Sequence, residues 1–416
     1  KALCGALEEK NIFLIQGPPG TGKTTVIREL IQQYRSLHPK ARVLVVSQAN
    51  VAVDNALSGL IETESSHMIR CGSNEKISDE MKNISLETRY DEYMASIQER
   101  PQDTRIQQKW ADFVNPQNGT VSNISELIIR NRPLVGATCV GLAKKRVGLE
   151  QLKFDLVIVD EAGKALPGEI LIPVLRAKKL VLIGDHKQLP PVIDPALFDP
   201  DKIELENRQL LKHELFDISF FQRLYERTPE TNRAMLETQY RMPAVIGTLV
   251  SRLFYDGKLK NGAGTESRPA LFGTGNLVMY NCSHDAKYHE GKREIELVTE
   301  ILKRISQELP GHQVAVITPY RRQNQLLHDA WEKHQKEWET LDLAINTIDA
   351  FQGDEAEIVI YCSTRADRPT LYFSDYRRIN VALSRAKNKL ILIGNLKYFK
   401  EYSKAKGALR KSPLPA

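Results

Sequence analysis

Short runs of aliphatic and β-branched residues recur along the chain, each followed by a stretch whose apolar and polar positions have helical spacing. Ile12 to Ile15, Val43 to Val46, Leu134 to Ala137, Leu156 to Val159 and Leu180 to Ile183 are apolar without alternation. That pattern predicts strands buried on both faces of a parallel sheet. A second set follows: Leu277 to Tyr280, Val314 to Ile317, Ala344 to Thr347, Ile358 to Cys362 and Leu390 to Ile393, separated by helix-length segments such as Arg293 to Leu309. Strands alternating with helices predict an α/β fold, and two sets of strands predict two α/β domains, each a parallel sheet flanked by helices.

The stretch from Gly72 to Arg132 breaks this rhythm. It is charged and polar, with a helical pattern and the loop Asn115 to Thr120 inside it. It is expected to be a helical accessory insertion at 72–132, dividing a first domain of 1–71 and 133–235 from which a second, 236–416, continues. Between Asp194 and Asn232 the chain again turns polar and helical, and Arg227 to Asn232, with Pro229, reads as a hinge region. A length of 416 residues suits two to three domains at a prior of about 150 residues each. The chain opens on Lys1 with no signal-peptide pattern, so it reads as an excised segment with flanking domains or protein partners outside it.

Composition narrows the class. Apolar residues at 42% and charged residues at 26% are the balance of a globular protein, and no apolar run approaches the roughly 18 residues of a membrane span. No membrane partner is expected. The five cysteines, Cys4, Cys71, Cys139, Cys282 and Cys362, are scattered without a C-x-x-C pair. They argue against a zinc site or a disulfide framework and for a reducing, intracellular compartment, cytoplasmic or, in a eukaryote, nuclear. A net charge of +6 permits a polyanionic partner without requiring one.

The chemistry begins at Gly17-Pro18-Pro19-Gly20-Thr21-Gly22-Lys23-Thr24-Thr25, which satisfies G-x-x-x-x-G-K-[ST] between a predicted strand and the helical segment Val26 to Tyr34. Its glycines let backbone N–H groups face phosphate oxygens, and the helix N-terminus adds partial positive charge. Lys23 can reach the β- and γ-phosphates, and Thr24 can ligate magnesium. A second apolar run ends in Asp160-Glu161, placing one carboxylate to hold magnesium and a second to orient or deprotonate the attacking water. A nucleoside triphosphate hydrolase follows, a class that also contains kinases, transporters and GTPases.

Further segments stand in a fixed order. They are Ser47-Gln48-Ala49-Asn50-Val51-Ala52-Val53-Asp54, Asp160-Glu161-Ala162-Gly163, Gly184-Asp185-His186-Lys187-Gln188-Leu189-Pro190-Pro191, Gln239-Tyr240-Arg241-Met242, Thr347-Ile348-Asp349-Ala350-Phe351-Gln352-Gly353-Asp354-Glu355 and Asn380-Val381-Ala382-Leu383-Ser384-Arg385-Ala386. With them the chain resembles superfamily 1 helicases of the up-frameshift-like branch over nearly its whole length. The resemblance implies two tandem RecA-like domains with ATP in the cleft between them, and a monomeric motor moving 5′ to 3′ on single-stranded RNA or DNA. An ATP-gated clamp or protein-displacing remodeller would use the same residues.

By this resemblance Gln188 senses the γ-phosphate or its water, Tyr240 stacks on adenine, Glu355 contacts the ribose, and Arg241 and Arg385 meet the transition-state charge. Guanidinium suits that last role because it stays ionised and binds phosphate bidentately. A motor must hold its strand by the backbone with little base reading. Candidates for that contact are Ser47, Gln48, Asn50, Thr138, Thr318, Pro319, Tyr320 and Thr347, although an ordinary strand-end cap accounts for each equally well. Basic clusters at Lys144-Lys145-Arg146, Arg321-Arg322 and from Lys397 to Lys411 are secondary candidates. The chain departs from the family at Gly163-Lys164, where a glutamine is common after the small residue.

Overall fold

The computed structural model describes residues 1–98, 105, 109, 121–144, 149, 152–192, 219–282, 291–351, 353–364 and 375–395. Two compact units divide the chain. The first comprises Lys1–Gly17, Gly22–His186 and Pro190–Met235; the second comprises Pro18–Thr21, Lys187–Leu189 and Leu236–Ala416.

Among the described residues, the first unit is built on seven parallel strands: β1 (Ile12–Gln16), β2 (Val43–Ser47), β3 (Met68–Arg70), β4 (Leu134–Thr138), β5 (Phe154–Val159), β6 (Ala177–Gly184) and β7 (Arg233–Met235). Their order across the sheet is β3-β4-β2-β5-β6-β1-β7. The helices are α1 (Ala2–Glu8), α2 (Lys23–Leu37), α3 (Asn50–Ser58), α4 (Ile61–Glu64), α5 (Asp79–Lys82), α6 (Leu86–Gln98), α7 (Val121–Arg130), α8 (Pro167–Val174) and α9 (Phe220–Arg227). All five residues of β2 are buried, as are the last four of β1 and of β5. Such strands must be covered on both faces, which is why their sequences read as unbroken apolar runs.

The five strands expected of this unit form where the apolar runs lie. β3 and β7 escape notice because each has three residues, one of them an arginine. β7 still pairs with β1, Leu14 opposite Arg233, so the segment from Arg227 to Asn232 leads into the first sheet and the passage to the second unit follows Met235. Within 72–132 the described elements are helical, α5 to α7 and a short 3-10 turn at Asn74–Lys76, apart from a single parallel bridge between Ser85 and Arg70. The segment is tied to the sheet near Arg70, which is fully buried against Asp54 with Nε to Oδ1 at 2.6 Å. The other Asp54 oxygen accepts from Ser78 N at 2.8 Å, and Arg70 N donates to Ile84 O at 2.8 Å.

The second unit contains β8 (Thr238–Gln239) paired with β9 (Lys260–Asn261), and a five-stranded parallel sheet of β10 (Leu277–Asn281), β11 (Gln313–Thr318), β12 (Asp342–Thr347), β13 (Ala356–Cys362) and β14 (Ala386–Gly394). Its order is β10-β14-β13-β11-β12, and its helices are α10 (Ala244–Phe254), α11 (Lys292–Glu308), α12 (Arg321–Trp338) and α13 (Tyr376–Leu383). Val298, Leu302 and Ile305 of α11 join Val314, Val316, Ile358 and Ile360 in one apolar core. α11 covers the helical stretch expected from Arg293 to Leu309 except its last residue, Leu309, which is the C-cap.

Glu294 lies inside this unit with no ion-pair partner among the described residues. Glu294, in the first turn of α11, is fully buried and accepts from Thr364 N at 3.0 and 2.9 Å and from Ser363 Oγ at 3.4 Å. Burial outweighs these bonds and pushes its pKa from 4.5 up to about 8. An acid whose pKa rises on folding stabilises the fold most while protonated, and that contribution is lost as pH rises through the folded value. The melting temperature of wild type is therefore expected to fall relative to Glu294→Gln between pH 6 and 9, measured by thermal unfolding in matched buffers. A difference independent of pH would contradict the assignment.

Candidate nucleotide and nucleic-acid site

In a parallel sheet every strand delivers its following loop to the same edge, and ligands bind there. In the first unit β1, β6 and β5 are neighbours, with Gln16 opposite Gly184 and Val159 opposite Leu182. Their loops carry Gly17, Asp185 and Asp160-Glu161 to one place. Gly17 N donates to Gly184 O at 2.9 Å, and Gln16 Nε2 to Asp185 Oδ1 at 3.3 Å beneath the loop. β5 and β6 end in near contact: a Cβ added to Gly184 would lie 2.6 Å from Gly163 N, so only glycine fits.

Gly22 caps α2 in a left-handed conformation, φ 75, which a residue with a Cβ adopts poorly. No side chain caps this helix, so its first-turn N–H groups are left for an anion. Lys23 turns back over the loop, with Nζ 3.1 Å from Gly17 O. Thr24 is half-buried beside it and Thr25 is exposed.

Asp160 is buried next to Glu161. Burial first, and then the Glu161 charge, push the Asp160 carboxyl up to about 7 against the opposing pull of Lys23 and Lys164. Lys23 and Glu161 thus both act electrostatically on Asp160. Two crowded carboxyls are oxygen donors of the kind a hard divalent cation such as Mg2+ takes, and the Thr24 hydroxyl at the start of α2 is a further candidate oxygen.

One feature here carried no sequence signal. Glu161 adopts a left-handed backbone, φ 52, with its N–H bonded to Asp160 Oδ1 at 2.8 Å. Strain of this kind costs roughly 1–3 kcal/mol and gathers at functional sites. Lys164, the departure from the family pattern noted above, lies 3.4 Å from Glu161 Oε2.

The second unit assembles the other nucleotide candidates. Arg385 is buried, donating from Nη2 to Gln188 Oε1 at 2.9 Å, from Nε to Val381 O at 3.1 Å and from Nη1 to Asp354 O at 3.3 Å. Arg241 pairs with Glu355 at 2.6 Å, and Lys387 reaches the other Glu355 oxygen at 3.0 Å. Burial raises the Glu355 pKa, but Arg241 and Lys387 outweigh it and hold the carboxyl below its usual range. Lys387 is a partner that the motifs did not single out. Tyr240 is 55% exposed, leaving a ring face open, and its N–H donates to Gly20 O at 2.9 Å. Pro18, Pro19 and Thr21 are buried, with Thr21 Oγ1 bonded to Pro18 O at 2.7 Å.

The strand candidates lie at the same edges but differ in exposure. Gln48 is exposed, whereas Asn50 and Thr138 are half-buried. Asn50 Oδ1 accepts from Arg70 Nη2 at 2.9 Å, so the buried Arg70–Asp54 pair also props this loop. Ser47 and Thr138 are register partners at the ends of β2 and β4. Ser47 is fully buried, and its Oγ makes no hydrogen bond. In the second unit Tyr320 and Thr347 are half-buried and Pro319 is buried. Thr318 is fully buried, its Oγ1 3.1 Å from Thr364 Oγ1. Arg321 and Arg322 are exposed at the start of α12. Lys145, Arg146, Gln352, the loop Asn115 to Thr120, most of the polar stretch after Asp194 and the tail from Lys397 to Lys411 lie outside the described residues.

Two AAA domain family models match, one over residues 1–118 and 95–195, the other over residues 216–397. The ATP-dependent helicase NAM7 of Saccharomyces cerevisiae is 28% identical over 93% of the chain. The chain belongs to the Upf1-like superfamily 1 helicases. An uncharacterized ATP-dependent helicase of Methanocaldococcus jannaschii is 28% identical over 95% of the chain, and the DNA polymerase alpha-associated DNA helicase A of Saccharomyces cerevisiae is 27% identical over 94%. The chain spans 67% of the archaeal relative, 65% of the polymerase-associated helicase and 40% of NAM7.

Two substitutions test the first unit's cluster. Lys23→Ala is expected to weaken ATP affinity roughly tenfold or more, the scale of a lost charge-assisted hydrogen bond, in a fluorescent-nucleotide titration. Glu161→Gln should keep that affinity while turnover drops about 10²–10⁴-fold, the usual worth of a general base. Unchanged turnover in Glu161→Gln would remove Glu161 from the role of base.

Proposed function

We propose that this chain is the motor of an ATP-dependent helicase that moves 5′ to 3′ along single-stranded RNA or DNA and separates duplexes. The observation that carries the reading is the meeting of Lys23, Asp160 and Glu161 where the loops after β1 and β5 emerge, behind an uncapped helix N-terminus. That arrangement suits phosphoryl transfer to water, in which positioning and charge do most of the catalysis.

In this reading the backbone from Gly17 to Thr25 cradles the phosphates and Lys23 neutralises charge on the β- and γ-oxygens. Glu161 orients and deprotonates the attacking water, its carboxylate aimed by the left-handed turn. Thr24 and Asp160 would hold Mg2+, which would supply charge neutralisation at the phosphates. Arg241 and Arg385 meet the charge that develops on the transferring group, with Gln188, already bonded to Arg385, reporting on the γ-phosphate. Arg241 then exchanges its Glu355 partner for phosphate. Tyr240 offers its open face to adenine, and Glu355, relieved of Arg241, accepts from the ribose.

The strand is gripped by its backbone at the sheet edges, through Gln48, Asn50 and Thr138 in one unit and Tyr320 and Thr347 in the other. Ser47, Thr318 and Pro319, being buried, support those loops from beneath. Arginines that engage only while the γ-phosphate is present make strand affinity depend on the nucleotide, and that dependence is what converts hydrolysis into movement.

Forked duplexes bearing either a 5′ or a 3′ single-stranded arm test the reading. The chain is expected to displace the partner strand of the 5′-armed substrate with ATP present, and to leave the 3′-armed substrate intact. ATP turnover stimulated by single strands without displacement of either substrate would favour a clamp or protein-displacing remodeller. Substitution of Arg385 by Ala should lower turnover by roughly 10³-fold or more, as for other arginine fingers, while ATP still binds.

A further inference from the structure

The segment after β9 carries a guanidinium that none of the motifs includes. Arg268, half-buried, donates from Nη2 to Tyr240 O at 2.6 Å and from Nη1 to Lys387 O at 2.9 Å. Nη1 also donates to Arg241 O. All three partners are main-chain carbonyls. A guanidinium presents its donors as a rigid planar fork, so three carbonyls on one fork are fixed relative to one another.

These carbonyls come from two distant stretches of chain. Tyr240 and Arg241 belong to the turn after β8, and Lys387 lies at the start of β14, two residues past Arg385. The same two stretches are joined again through side chains, since Arg241 and Lys387 both pair with Glu355. Arg241 Nη1 also donates to Ser384 O at 3.3 Å. Arg268, Arg241, Glu355 and Lys387 therefore close a ring, and Arg268 is the corner that grips backbone instead of side chain.

The backbone that bears Arg268 is anchored without it. Asn388 Nδ2 donates to Pro269 O at 2.9 Å, and Leu271 N donates to Asn388 Oδ1 at 3.0 Å. Truncating the Arg268 side chain removes the carbonyl fork and leaves those anchors in place.

We propose that Arg268 is a positioning residue of the nucleotide site: it sets the spacing of Tyr240 and Arg241 from the strand that follows Arg385. The proposal rests on the reading of Tyr240, Arg241 and Arg385 given under the proposed function. Misplacing a phosphate-binding arginine by about an ångström is enough to slow a positioned reaction strongly. Lysine keeps the charge but has one compact ammonium in place of a fork, so it can hold part of the set.

Arg268→Ala and Arg268→Lys in the full chain test this, with kcat and KM for ATP measured at saturating single-stranded oligonucleotide. Strand affinity without nucleotide and melting temperature are measured alongside. Arg268→Ala is expected to lower kcat at least about tenfold and to raise KM for ATP, with strand affinity unchanged; Arg268→Lys should recover part of both. Unaltered kcat and KM in Arg268→Ala would overturn the proposal. So would parallel losses of melting temperature and strand affinity, which would mark Arg268 as a general structural tie. A wild-type chain that does not hydrolyse ATP would overturn the function reading itself, a result distinct from an active wild type with an indifferent Arg268→Ala.

Discussion

Parallel strand pairing is the constraint from which the rest of this molecule follows. Strands that all run one way need a helical crossover between each pair, and those helices cover both sheet faces, leaving the loops at one edge as the place where polar chemistry can be concentrated. Gly17, Ser47, Thr138, Asp160 and Asp185 all follow or end strands of the first sheet, and Thr318, Thr347 and Ser363 do so in the second. Residues far apart in sequence thus share an edge because their strands are neighbours. Asp160 and Lys23 influence one another across more than a hundred positions for this reason.

What the sequence disclosed, and what it hid, divides along the same line. Unbroken apolar runs such as Val43 to Val46 and Ile358 to Cys362 announce strands because burial on both faces leaves no polar position. β3 was invisible because it ends in Arg70, whose burial depends on Asp54, sixteen residues upstream and meaningful only after folding. The glycine-rich loop was legible because its glycines answer a backbone requirement. The left-handed conformation of Glu161 was not, since glutamate has no particular preference for it and the bonds that flank it, Glu161 N to Asp160 Oδ1 and Ala162 N to Ile183 O, exist only in the folded chain. Lys387 and Arg268 were hidden for a similar reason: a basic residue between motifs reads as solvated surface until its partners are known.

Electrostatics ties the two sets of nucleotide candidates to a common logic. In the first unit an uncapped helix and Lys23 supply positive potential beside two carboxyls, one of them driven up to about 7 by burial and its neighbour. In the second, Arg241 and Lys387 hold Glu355 ionised, so their positive charge is compensated within the unit. A triphosphate offers a stronger and more numerous set of acceptors than one carboxylate, which is the basis for the proposed exchange of Arg241 from Glu355 to phosphate. Lys164 adds an ammonium 3.4 Å from Glu161.

In the proposed function, ATP hydrolysis is governed by a bound single strand. Steady-state ATP turnover of this chain, measured alone and with matched single-stranded RNA and DNA oligonucleotides, tests it most directly. The account predicts turnover that rises severalfold and saturates with at least one of the two strands. Turnover indifferent to both would contradict it.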